Sequence, residues 1–82
     1  MEKQFFVYIL RCRDGSYYTG YTLHLEQRLK CHNAGKASKY TRARLPVAMV
    51  YWEAAASKGE ALSREAEIKR LTRRQKDELV KN

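Results

Sequence analysis

Two continuous apolar runs and two helical stripes organise the chain. Phe5 to Leu10 is apolar or aromatic throughout, and Arg11 ends it. That pattern predicts a strand over Phe5–Arg11. Turn residues follow at Arg13-Asp14-Gly15-Ser16, and a second strand is predicted over Tyr17–Thr22. Leu25–Asn33 has helical spacing and ends on Asn33-Ala34-Gly35. Thr22 or a neighbour is placed to cap it. At roughly 100° per residue, Leu25, Arg28, Leu29 and His32 share one side of that helix. The leucines must face a core, so Arg28 and His32, one turn apart, stand together at its edge. Lys36 to Pro46 reads as a long loop. The second apolar run predicts a buried strand over Val47–Glu53, with Met49 and Trp52 in the core. A helix follows over Lys58–Leu71. Thr72-x-x-Gln75 then fits a capping box that starts another helix. The order is β-β-α-β-α-α, an α+β (mixed α/β) domain with helices on a small sheet. A length of 82 residues allows one domain, residues 1–82.

One residue interrupts the long helix. Ala61, Ile68 and Thr72 lie within about 40° of one another on the helical wheel, and Glu65 falls inside that stripe. Glu60 and Glu67 point away. A carboxylate aimed at an apolar side needs a partner. A structural salt bridge, with Arg28 as one candidate, meets that need. A metal ligand or an acid/base role meets it equally.

Charge narrows the partners. Seventeen Lys+Arg against nine Asp+Glu give a net charge of +8. No acidic residue occurs from Gln27 to Trp52, while Arg28, Lys30, Lys36, Lys39, Arg42 and Arg44 all fall there. Basic residues clustered around a loop point to phosphate, so Lys36, Lys39, Arg42 and Arg44 are candidate nucleic-acid contacts. The plainer reading is a solvated basic face. Cys12 and Cys31 lack paired spacing with each other or with His24 and His32, which argues against a zinc site or a disulfide scaffold. No stretch has the length of a secretory or membrane-spanning segment, so a cytoplasmic protein is expected.

The hairpin holds four of the six tyrosines, namely Tyr8, Tyr17, Tyr18 and Tyr21. Tyrosine favours strands, which suffices as a bland account. Taken together, however, Val7-Tyr8-Ile9, Tyr18-Thr19-Gly20, Arg28 and Glu65 within Ala-Leu-x-x-Glu resemble the GIY-YIG nuclease superfamily. The likeness is to its small stand-alone bacterial members and runs along the whole chain. It implies a small three-stranded antiparallel sheet with flanking helices. The implied activity is cleavage of phosphodiester bonds, in DNA rather than RNA, with one Mg²⁺ or Mn²⁺ ion, in repair or recombination. By that resemblance Tyr8 and Tyr18 are the two motif tyrosines and Gly20 closes the second motif. Arg28 is the helix arginine, His32 sits at a position often His or Tyr, and Glu65 is the metal ligand. Each residue type suits the task. Arginine offers a planar cation to a phosphate oxygen. A carboxylate offers a hard oxygen to the ion. Tyr8 is a candidate general base, whose ordinary pKa of about 10 must fall by nearby positive charge. Tyr18 is a candidate for positioning water or phosphate.

A shared site makes one geometric demand. A two-residue turn at Asp14-Gly15 would pair Tyr8 with Tyr21 and turn Tyr18 to the other face. A three-residue loop, Arg13-Asp14-Gly15 with Gly15 left-handed, pairs Tyr8 with Gly20 and Leu10 with Tyr18. We expect the latter. The sequence also departs from the resemblance. Phe6 stands at the first motif's glycine position, and Tyr21 stands where some relatives carry lysine. The asparagine common after the glutamate has only Asn82 as a counterpart. No room remains for a separate DNA-targeting domain. A catalytically weak or inactive nucleic-acid-binding module with the same fold is the main alternative. A basic interaction protein with a structural Glu65–Arg28 pair is a third reading.

Overall fold

In the computed structural model, residues 4–81 are described. Asn82 lies outside them. Seven elements run in the order β1 (Phe5–Arg11), β2 (Tyr17–Thr22), α1 (Leu25–Asn33), α2 (Lys39–Arg42), β3 (Ala48–Ala55), α3 (Lys58–Lys69) and α4 (Arg73–Lys81). The three strands form one antiparallel sheet in the order β2-β1-β3. The fold is therefore α+β, as expected.

The sheet is built around β1. Its residues alternate between two separate apolar layers. Val7 and Ile9 are fully buried with Ala61 and Ile68 of α3, and Leu79 and Val80 of α4 pack against that layer. Tyr8 and Leu10 face the other way, with Val47, Leu25 and Leu29. A central strand buried on both faces explains why its sequence is apolar without alternation.

The turn between β1 and β2 has the expected three-residue form. Cys12 N–H donates to Ser16 O at 2.8 Å and Gly15 N–H donates to Cys12 O at 2.9 Å. Gly15 has φ +86°, which strongly favours glycine. Asp14 Oδ1 accepts from both Ser16 N–H (3.0 Å) and Ser16 Oγ (2.6 Å). The register follows: Tyr8 pairs with Gly20 and Leu10 with Tyr18.

Local signals explain most boundaries. Thr22 Oγ1 accepts from His24 N–H at 3.2 Å, while His24, the N-cap of α1, offers no side-chain bond. Beyond α1, Gly35 at φ +76° lets Lys36 N–H reach Cys31 O and Gly35 N–H reach His32 O, both at 3.0 Å. The Asn33 amide then grips the Val47 backbone, donating to its O at 3.0 Å and accepting from its N–H at 2.8 Å. Thr72 and Gln75 close the expected box: Gln75 N–H donates to Thr72 Oγ1 (3.1 Å) and Thr72 N–H to Gln75 Oε1 (2.9 Å). Forming that box ends α3 at Lys69 rather than Leu71.

Three expectations need correction. The Lys36–Pro46 segment is not simply loop. Ser38 accepts from Tyr40 N–H and Thr41 N–H, and a single helical turn, α2, forms there. The third strand is Ala48–Ala55, one residue later at its start and two longer at its end than predicted. Trp52 is 56% exposed, not core. It lies on an edge strand opposite Tyr8, and its ring packs edge-on against Phe6 at 5.7 Å. An unbroken apolar run reads as buried on both sides, but an edge strand need not be.

Gly15 holds the register, so Gly15→Ala is expected to cost about 1 kcal/mol for forcing a Cβ into the left-handed region. Gly15→Asn should cost less. Urea unfolding midpoints check this, and equal stability of the alanine and wild-type proteins would refute it.

Candidate active site

Because Tyr8 and Tyr18 are on the same face, the hairpin delivers two phenols to one side of the sheet. The Tyr8 ring crosses over its neighbour. A Cβ placed on Gly20 would sit 2.7 Å from Tyr8 Oη and 2.8 Å from its Cζ. Only glycine leaves that space. Tyr8 is 2% exposed, so its ring has nowhere else to go.

Helix α1 brings Arg28 and His32 to the same place. His32 is 1% exposed, and both its ring nitrogens are bonded. Nε2 lies 2.9 Å from Tyr8 Oη, and Nδ1 lies 2.8 Å from Thr41 Oγ1. Thr41, wholly buried on α2, also reaches Ser38 O at 3.4 Å. A carbonyl only accepts, so this contact forms only with the threonine proton directed at Ser38 O. Thr41 Oγ1 then accepts from His32 Nδ1–H, and Nε2 is left to accept from the Tyr8 hydroxyl. The Tyr18 ring stands edge-on to His32 at 5.1 Å.

Electrostatics keep this pair neutral. Burial, with the Tyr18 phenol beside it, pushes the Tyr8 hydroxyl well above its ordinary pKa; Glu65 adds to the rise and Arg28 opposes it. Burial, then the Arg28 cation, pushes His32 below its ordinary value of 6.5. The expected lowering of the Tyr8 pKa by positive charge is therefore outweighed by desolvation.

Glu65 and Arg28 both act on Tyr8, but they do not pair with each other. Glu65, with its side chain 17% exposed, has Lys69 Nζ at 3.7 Å, an i,i+4 contact along α3. The structural Arg28–Glu65 bridge considered from the sequence is replaced by this weaker contact. Arg28 is half-buried and lines a hollow of about 230 Å³ with Thr22, His24, Gln27 and Cys31. Among the described residues, no three His, Cys, Asp or Glu side chains gather into a metal cage. An ion at Glu65 would take its other ligands from water and substrate oxygens. One carboxylate with free lone pairs fits that habit of Mg²⁺ and Mn²⁺.

The basic segment divides in two. Lys36, Lys39 and Arg42 are exposed. Arg44 is occupied within the protein: its Nε donates to Asp14 Oδ2 at 3.0 Å, its Nη1 to Tyr40 O at 2.9 Å, and its guanidinium lies 3.9 Å from the Tyr40 ring centre. Sequence reasoning missed Thr41 and Tyr40. Thr41 follows no spacing rule; its only signal is that a buried histidine needs a partner at each nitrogen.

Comparison with known proteins agrees with the residue pattern. The family described as GIY-YIG catalytic domain matches residues 4–78. A UPF0213 protein of Streptococcus pneumoniae is 54% identical over 80 residues, covering 98% of this chain and 81% of that protein. The solution NMR structure of UPF0213 protein BH0048 from Bacillus halodurans is 50% identical with a TM-score of 0.61, covering 95% of this chain and 83% of that one. That of protein EF2693 from E. faecalis is 45% identical with a TM-score of 0.65, covering 99% and 88%. Among the described residues no helix is long and apolar enough to cross a membrane.

Two outcomes follow from the geometry. Gly20→Ala is expected to push the Tyr8 ring off His32 and cost about 1–3 kcal/mol, as overpacking does; thermal melts and the loss of the Tyr8–His32 contact by NMR check it. His32 supplies a pH dependence. Its folded pKa is depressed, so below 6.5 the unfolded chain binds a proton that the folded one refuses. Stability should therefore fall as pH drops from 6.5 toward the lowered value, and His32→Gln should flatten that slope. Melting temperatures across this window decide it.

Proposed function

The chain belongs to the GIY-YIG catalytic domain family, and on that premise we propose that it is a cytoplasmic, single-domain DNA nuclease using one divalent metal ion. The observation that carries this reading is the 2.9 Å Tyr8–His32 hydrogen bond, set in the fields of both Arg28 and Glu65. Tyr8 is held protonated, so it is not a standing phenolate. It acts as a relay. As water attacks phosphorus, the water proton passes to Tyr8 Oη and the Tyr8 proton passes to the vacant His32 Nε2. His32 Nδ1–H, anchored on Thr41, keeps the ring in the accepting tautomer. Arg28 presents its guanidinium to a non-bridging oxygen. Tyr18, against His32, positions water or phosphate. Glu65 holds Mg²⁺ or Mn²⁺, which when bound stabilises the charge that develops on the phosphate and the leaving oxygen. Lys36, Lys39 and Arg42, with Arg44 at their edge, take flanking phosphates. Repair or recombination is the setting this activity fits.

The test uses labelled single- and double-stranded DNA and RNA with Mg²⁺, Mn²⁺ or EDTA, reading binding and product together. Wild type should cut DNA only with metal. Glu65→Ala should abolish product and keep salt-sensitive binding. Tyr8→Phe should lower the rate by about 10²- to 10⁴-fold, the usual scale for a lost proton-transfer group. A pH–rate profile unchanged by Tyr8→Phe refutes the relay. Wild-type binding with no metal-dependent product would instead make the protein a binding module.

A further inference from the structure

A second groove adjoins the candidate site. Tyr17, Tyr18, Thr19, Tyr40, Lys69 and Lys76 line about 240 Å³ of open space along β2, an edge strand. It is continuous with the reacting centre through two residues. Tyr18 stands against His32, and Lys69 contacts Glu65.

Its lining combines aromatic rings with cations. The Tyr18 and Tyr40 rings are stacked at 6.1 Å with 27° between their planes. Tyr40 is 37% exposed, yet it is not loose. Arg44 covers it at 3.9 Å and is itself fixed by Asp14 on the hairpin. Tyr17 is fixed in the same manner: Arg73 lies 4.0 Å from its ring centre, and its hydroxyl donates to Asp77 at 2.7 Å. Aromatic groups held in place before binding lose little freedom when a ligand arrives. Lys69 and Lys76 then supply positive charge at the same groove.

We propose that this groove receives an unpaired nucleotide next to the scissile phosphate, its base against the Tyr18–Tyr40 tier and its phosphate on Lys69 and Lys76. The preferred substrate is thus a DNA strand unpaired at the cut, not a continuous duplex. This rests on the nuclease reading above. In a duplex each base is stacked on its neighbours and paired inward, so no base face can reach an aromatic tier beside the backbone. An unpaired base offers that face freely, and aromatic stacking does not depend on which base it is. A duplex would meet only the lysines.

Two measurements test this. Cleavage by wild type is compared on single-stranded DNA, a flap and a blunt duplex of the same sequence. In parallel, Glu65→Ala protein is titrated into single-stranded DNA carrying 2-aminopurine beside the cut position, at fixed salt. Unpaired substrates should be cut about tenfold faster than the blunt duplex, and binding should change the 2-aminopurine emission. Tyr40→Ala should weaken single-strand binding about tenfold, the scale of one lost base stack, with duplex binding unchanged. Tyr40→Phe should behave as wild type. Lys76→Gln, which removes no packing ring, should weaken single-strand binding and lower its salt dependence. Equal handling of single strand and duplex overturns the proposal. So does a folded Tyr40→Ala protein that binds single strands as tightly as its parent. Metal-dependent cutting without strand preference refutes the groove alone. Emission change without any cutting refutes the nuclease reading while leaving the groove.

Discussion

A phenol can lie flat over the next strand only where the opposing residue has no side chain. Tyr8 meets that condition because Gly20 is its partner, and the site depends on this pairing. Were the hairpin register shifted by one residue, Tyr8 would face a tyrosine and Tyr18 would turn into the α3 layer. The register is set some distance away, by three turn residues and a left-handed glycine. Two clamps hold that turn. Arg44 ties Asp14 to α2, and Arg73 of α4 donates to Gly15 O at 2.8 Å. Segments from the middle and the C-terminal part of the chain therefore converge on the hairpin whose geometry places the phenols.

Once Tyr8 is seated, burial decides its chemistry. Desolvation outweighs the Arg28 cation, so the hydroxyl keeps its proton, while the same burial and the same arginine keep His32 neutral. In the proposed relay Tyr8 would take the water proton as it gives up its own and so stay neutral, and the positive charge would fall on buried His32. That arrangement needs a fixed tautomer, which places weight on Thr41, a residue hydrogen-bonded to neither phenol. It also gives Arg28 two effects: it disfavours protonated His32, and it leaves a cation beside the hollow where phosphate would lie. A phosphate anion bound at Arg28, as proposed, would offset that charge and make the His32 acceptor more basic.

Much of this was legible in the sequence because short-range rules governed it. The hairpin loop followed from turn chemistry together with the need for a shared face. The Thr72–Gln75 box, the i,i+4 pair Arg28 and His32, and the carboxylate Glu65 within an apolar stripe follow from helix periodicity. What was hidden depends on tertiary contacts. Trp52 sits in an apolar run like that of β1, but only the sheet order reveals that β3 is an edge. Thr41 and Tyr40 lie in a stretch that composition marks as basic loop, and the Ser38 cap that folds it into α2 has no periodicity to amplify it. Arg44 looked like its basic neighbours because net charge carries no information about partners. The Arg28–Glu65 pairing failed for the same reason: a wheel gives direction on one helix, not distance between two.

The division of the basic residues follows from the size of the domain. So small a chain has a modest core, and polar ties supplement it. Arg44 and Arg73 serve this purpose, each pairing a carboxylate, a tyrosine ring and a main-chain oxygen. Their charge is largely matched within the protein. Lys36, Lys39 and Arg42 have no such ties among the described residues, and neither does Lys76. Lys39 and Arg42 of α2 and Lys76 of α4 are thus among the cations left unmatched for a polyanion. A DNA strand held as proposed would be drawn toward these cations and would run along the edge strand β2, past Tyr18.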